Sequence, residues 1–138
     1  MECVFCAIVA GEQPASVVYR DERVVAFMDI CPATPWHLLV IPVHHAVGLT
    51  DLAPDDAARM MTVAQRIARA MKASPRVPAD GINLFLADGE SAFQEVFHAH
   101  LHVVPRTAGD GFVLQGSFHE PARAVLDRQA ADLRGLLS

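Results

Sequence analysis

Three of the chain's seven histidines stand at alternate positions in HAHLHVVPR, residues 98–106. In a β-strand, side chains two apart project from one face about 6.6 to 7 Å apart. His98, His100 and His102 would then form a line, with Ala99, Leu101 and Val103 facing the other way. Histidines scattered over a solvated face rarely fall in register opposite an apolar row. Two chemical uses of such a line stay open. Neutral imidazoles can bind a metal, or one imidazole can act as nucleophile on an electrophilic centre while its neighbours set tautomer and charge. At the other end of the chain Cys3 and Cys6 form a C-x-x-C pair. With Cys31, expected to be buried and inert, the odd cysteine total points to a metal site or redox pair rather than a disulfide framework.

Positioning these residues requires strands. VVYRD and RVVAFMDI are β-rich runs split by Asp21 and Glu22, a hairpin signal. CPATPW holds two prolines and must be a loop. HLLVIP (37–42) is a third strand whose unbroken apolar run implies burial on both faces. GINLFLADG (81–89) reads as strand then turn, and VFHAHLHVVP (96–105) as another strand. VFCAIV (4–9) fits a helical turn or a strand. From Pro54 to about Met71, acidic residues in the first turn and apolar Met60, Ala64, Ile67, Ala68 and Met71 at helical spacing predict an amphipathic helix. A second such helix is predicted from Glu120, with Ala122, Val125, Leu126, Ala130, Leu133 and Leu137 on its apolar side. Runs of strands with two main helices argue for an α+β fold on a mainly antiparallel sheet of about five strands.

The 138 residues fit one domain, 1–138, in which 106–138 form a C-terminal extension. A 52% apolar content is high enough to suggest a buried subunit interface. A net charge of −5 with scattered Lys and Arg argues against binding a nucleic acid duplex, though not against single nucleotides. No apolar run approaches the roughly 20 residues of a membrane span, and MECVFCAIVAGEQ lacks the basic flank of a signal peptide. The expectation is a cytoplasmic protein. No G-x-G-x-x-G or G-x-x-x-x-G-K-[ST] follows any strand, so a phosphate would have to be held by other means.

The stretch H98-A-H-L-H-V-V resembles the His-φ-His-φ-His-φ-φ signature of the histidine triad (HIT) superfamily of nucleotidyl hydrolases and transferases. Residues 3–15, 26–42 and 94–106 resemble the three blocks of its Hint-like branch, in order and spacing. The resemblance implies a homodimer with its sheet extended edge to edge, and a reaction at the α-phosphorus of a nucleoside monophosphate carrying a leaving group, with a purine as the expected base. His100 would form a nucleotidyl-histidine intermediate that water then resolves. His102 would hydrogen-bond the phosphoryl or departing group, and His98 would hold the row in its working tautomer.

The resemblance also implies the surrounding residues. Asp29 would take the ribose hydroxyls, although alone it reads as a turn residue before Pro32. Phe5, Ile8 and Phe27 would sandwich the base, with plain core as the equal alternative. His37 would stand beside the active site as a further nucleotide-binding residue, and backbone amides of Gln94, Glu95 and Val96 would cradle the phosphate. Four positions depart from the family's pattern: Phe93 and Glu95 around Gln94, Ala87 in Ala87-Asp88-Gly89, and Trp36 before His37. Cys3, Cys6, His45 and His98 would complete a structural zinc site with no open position for substrate. The leading expectation is therefore a HIT-type nucleoside phosphoramidase. The alternatives are a dinucleoside polyphosphate hydrolase, which shares the site, and a nucleotide-binding or zinc-stabilised interaction protein without turnover.

Overall fold

Val17–Arg20 (β1) and Val24–Met28 (β2) form the expected hairpin. Its turn is held by one side chain. Asp21 Oδ1 accepts the amides of Arg23 and Val24 at 2.8 and 2.9 Å, and Asp21 Oδ2 accepts the Tyr19 hydroxyl at 2.8 Å. Leu38–Pro42 (β3) pairs antiparallel with β2, and Leu101–Arg106 (β5) lies between β3 and Gly81–Phe85 (β4). The result is a five-stranded antiparallel sheet in the order β1-β2-β3-β5-β4. These coordinates form a computed structural model describing residues 2–138.

Strand parity divides the core. Val24, Ala26, Leu38, Val40, Leu101 and Val103 face one side and pack on Met60, Val63, Ala64 and Met71 of Pro54–Ala73 (α2). Val25, Phe27, Leu39 and Ile41 face the other and pack on Phe5 of Val4–Val9 (α1). Every residue of β3 is buried, as its apolar run required. Helix α2 starts with Pro54 and carries Asp55 and Asp56 in its first turn and Lys72 in its last, matching the helix dipole at both ends. Residues 4–9 resolve as a helix, whose first turn lets the Cys3 thiol accept the Cys6 amide.

Two expectations need correction. Strand β5 begins at Leu101, not at 96, because the chain ahead of it is bonded to the loop after β3: the Ala99 amide donates to the Ala46 carbonyl at 2.7 Å. Regular pleating therefore covers only His102 of the three histidines. The predicted C-terminal helix forms at Arg123–Leu137 (α3), yet none of its residues is buried and Leu133 and Leu137 are exposed. Val125 and Leu126 of its apolar stripe are half-buried, and no residue of the helix joins either core cluster.

Arg59 of α2 donates to Asp21 Oδ2 at 2.7 Å and to the Tyr19 hydroxyl, joining helix to hairpin. Burial would raise the Asp21 carboxyl, but the amides of Val24 and Arg23, Tyr19 and Arg59 overcome it and hold it below the usual carboxylate range. The folded value thus lies below the unfolded one, so the carboxylate contributes fully above about pH 4 and that contribution fades as pH falls. Asp21→Asn should cost about 1 kcal/mol at pH 7. Denaturant midpoints should show the gap between parent and variant closing below about pH 4.

Candidate active site

A cavity of about 600 Å³ opens on the α1 side of the sheet. Its apolar wall is Phe5 and Ile8 from α1 with Phe27 and Leu39 from β2 and β3. Phe27 pairs with Leu39 and Leu39 with His102, so strand register places these three side by side. Asp29, Glu95, Val96, His100 and His102 supply the polar wall. Leu39 and the exposed Cys31 also line it; Cys31 is not the buried residue expected. Leu39 was hidden by its place in a strand that is apolar throughout, although the hairpin register with Phe27 pointed to it.

The triad does not act as one row. His98, fully buried, turns toward the cysteines, while His100 and His102 share the cavity with ring centroids 4.9 Å apart. Backbone partners settle each tautomer, because carbonyls only accept and amides only donate. His100 Nδ1 lies 2.8 Å from the His98 carbonyl, so Nδ1 carries the proton and Nε2 keeps a lone pair. His98 Nε2 lies 2.8 Å from the Pro42 carbonyl and donates to it, leaving the Nδ1 lone pair toward Cys3 and Cys6.

His37 does not line the cavity, as the nucleotide-binding role implied; it is buried behind His102. The Ala33 amide donates to His37 Nδ1 at 2.9 Å, so the His37 proton sits on Nε2, 2.9 Å from His102 Nδ1. His102 must accept there and carry its own proton on Nε2, which no group among the described residues engages. Asp29 Oδ2 stands beside this pair, 3.4 Å from His37 Nε2 and 3.8 Å from His102 Nδ1. These three residues have cation-site spacing. A cation on His37 Nε2 would push the proton onto Nδ1 against the Ala33 amide, so the arrangement is a hydrogen-bond chain instead. Burial, and then the neighbouring His100 and His37, lower His102 to about 4 against the pull of Asp29. Burial likewise lowers His37, with Asp29 opposing. Both rings are neutral at pH 7.

Gln94 is the second departure from the expected nucleotide contacts. It is buried, its amide donates to the Gly89 carbonyl, and its side chain bonds Gly89, Val47 and Val96. The amides of Glu95 and Val96, by contrast, have no bonded partner among the described residues. Two open N–H groups at a cavity wall suit an anion. Asp88, the middle residue of the Ala87-Asp88-Gly89 turn, accepts the Thr50 amide at 2.9 Å and takes a structural place.

Below His98 lie four donor atoms. Cys3 Sγ and Cys6 Sγ are 3.4 and 3.5 Å from His98 Nδ1, Cys6 Sγ is 3.3 Å from His45 Nδ1, and the two Nδ1 atoms are 3.2 Å apart. Metal–sulfur bonds of about 2.3 Å and metal–nitrogen bonds of about 2.0 Å at tetrahedral angles separate S from N by about 3.5 Å and N from N by about 3.3 Å. The donor set fits a tetrahedral ion. Burial, then the Cys3 thiol, raise Cys6, a cost that a bound dication would reverse.

The HIT domain family model matches residues 10–109. The chain belongs to the HIT family. The HIT-like protein Rv1262c of Mycobacterium tuberculosis is 50% identical to this HIT protein over 110 residues, 80% of this chain and 75% of the relative. The adenylylsulfatase HINT3 of Arabidopsis thaliana is 31% identical over 132 residues, 96% of this chain and 66% of the relative. A zinc-bound histidine triad family protein from Mycobacterium smegmatis superimposes with a TM-score of 0.76 at 46% identity, covering 96% of this chain and 98% of that one. No helix among the described residues of the HIT chain is long and apolar enough to cross a membrane.

Proposed function

We propose that this HIT protein hydrolyses nucleoside monophosphates bearing a leaving group on the α-phosphorus, with His100 as nucleophile. The observation that carries this reading is the His100 tautomer: Nδ1–H is spent on the His98 carbonyl, and the Nε2 lone pair is left in the cavity. A purine would lie against Phe5, Ile8, Phe27 and Leu39, selected by stacking area rather than by base-edge contacts. Asp29 would accept from the ribose hydroxyls. The amides of Glu95 and Val96 would hold phosphoryl oxygens.

In the first step Nε2 of His100 bonds to phosphorus and the bond from phosphorus to the leaving atom breaks, the pair going to that atom. His102 Nε2–H hydrogen-bonds the phosphoryl or leaving atom, and a departing amine takes its proton from solvent. In the second step water adds to phosphorus, its proton passes to solvent, and the P–N pair returns to His100. Splitting one displacement into two lowers each barrier. The Cys3, Cys6, His45 and His98 site would hold zinc as a structural ion, since four protein ligands leave no position for substrate. The exposed Leu133, Leu136 and Leu137 of α3 support a homodimer.

Mixing protein with an adenosine 5′-phosphoramidate and quenching within a turnover should reveal a protein mass increased by one adenylyl group, located at His100. A burst with no adenylylated protein would remove the covalent mechanism, and no AMP release would favour the non-catalytic alternative. Comparison with a dinucleoside polyphosphate identifies the preferred leaving group. His37→Ala should lower kcat about tenfold to a hundredfold with little change in KM, because His102 then loses the donor that keeps its proton on Nε2. His37→Gln, which retains a donor near that position, should recover part of the loss.

A further inference from the structure

The C-x-x-C pair leaves two uses open, a metal site and a redox pair, and its surroundings suit both in turn. The Cys3 and Cys6 sulfurs and the facing nitrogens of His45 and His98 all lie within 4.8 Å of one another. Of the four residues His98 alone is fully buried; Cys3 and Cys6 are half-buried and His45 is exposed. A second cavity, of about 690 Å³, opens on the face of α1 turned away from Phe5. Its lining includes both cysteines, with Ala7, Ala10, Glu2 and Glu12. Solvent thus reaches the cysteines without passing the cavity that holds His100. A centre serving stability alone gains from being sealed, because thiol oxidation follows thiolate character and access. This one is open on its sulfur side.

We propose that Cys3 and Cys6 form a peroxide-responsive switch, holding zinc as thiolates and releasing it when hydrogen peroxide joins them in a disulfide. This rests on the zinc reading above and adds regulation to that centre. One thiolate attacks a peroxide oxygen: an S–O bond forms, the O–O bond breaks and hydroxide leaves. The other thiolate then attacks that sulfur, so that the S–S bond forms and the S–O bond breaks, giving a second hydroxide. The two sulfurs lose two electrons and the peroxide gains them. Zinc is left with two imidazoles in place of four ligands and departs. Small and neutral, hydrogen peroxide enters beside Glu2 and Glu12 without the repulsion an anionic oxidant meets. Loss of the ion unties α1 from the loop after β3 and from the stretch before β5. The Pro42 carbonyl still holds His98 Nε2, and the His98 carbonyl still holds His100 Nδ1. The output is metal release and a looser fold, ahead of any change at the nucleophile.

Zinc-loaded protein carrying Cys31→Ser, which removes the third thiol, is treated with a small molar excess of hydrogen peroxide beside a colorimetric zinc chelator. Zinc release should track thiol loss at about one ion for two thiols. Peptide mass analysis should place the new disulfide between Cys3 and Cys6. The thermal midpoint should fall by about 5 to 10 °C. A phosphine reductant followed by fresh zinc should restore both the bound ion and the midpoint. Zinc and thiols that persist in peroxide sufficient to oxidise free cysteine would overturn the switch and leave the zinc site standing. Zinc lost with sulfinic acids, or with disulfides between chains, would overturn it as well, because neither product is the reversible Cys3–Cys6 bond. A protein that takes up no zinc at all would fail the metal reading and the switch together.

Discussion

His100→Ala is expected to lower kcat on an adenosine phosphoramidate by at least about a thousandfold, with KM changing far less. The proposed reaction needs one atom, and the geometry leaves a single candidate among the three imidazoles. His98 Nδ1 faces the cysteines, His102 Nδ1 is committed to His37, and His102 Nε2 carries a proton. Of the three imidazoles, only His100 Nε2 combines a free lone pair with a place in the cavity. Steady-state rates of AMP release measure the effect, and the quenched adenylyl adduct should vanish with it. A variant that keeps more than about a tenth of the parent kcat would remove His100 from the role, since nucleophile deletions cost far more.

Removing the metal is expected to lower the thermal midpoint by about 10 °C, the equivalent of about 3 kcal/mol for a chain of this size. The four donors come from three separate segments: α1 and its start, the loop after β3, and the stretch before β5. An ion there would tie together parts of the chain 39 to 95 residues apart. Calorimetry before and after dialysis against a strong chelator gives the shift, with elemental analysis giving stoichiometry. The double variant Cys3→Ser, Cys6→Ser should start at the chelated midpoint and stay there. An unchanged midpoint together with metal-free purified protein would sink the zinc site. Catalysis should suffer less than stability, because His100 is anchored on the backbone carbonyl of His98 and not on its ring.

The two expectations differ because histidines two residues apart face different surroundings, His98 the cysteines and His100 the cavity. Alternation marked 98, 100 and 102 as special, and sequence spacing alone could not say that the first would leave the row. That division follows from β5 starting at Leu101, which depends on the Ala99 amide meeting Ala46. His37 is a similar case. Its family position placed it near the site, but only the Ala33 amide on one side and His102, 65 residues on, show that it bonds another ring and not the cavity.

Sequence alone determined the β1–β2 hairpin, a doubly buried β3, helix α2, the resemblance to the HIT family and the set of chemistry-bearing residues around His100. These rest on periodicity and on motif spacing, which are local and survive in one dimension. Tertiary structure decided that residues 4–9 are helical, that Cys31 is exposed at the cavity, that Gln94 braces a loop, and that Phe93 is strained at the rim. It also decided every histidine tautomer. Each of these depends on which carbonyl or amide from a distant segment arrives within 3 Å of a given atom, and hydrogen-bond partners across a fold leave no period in the sequence.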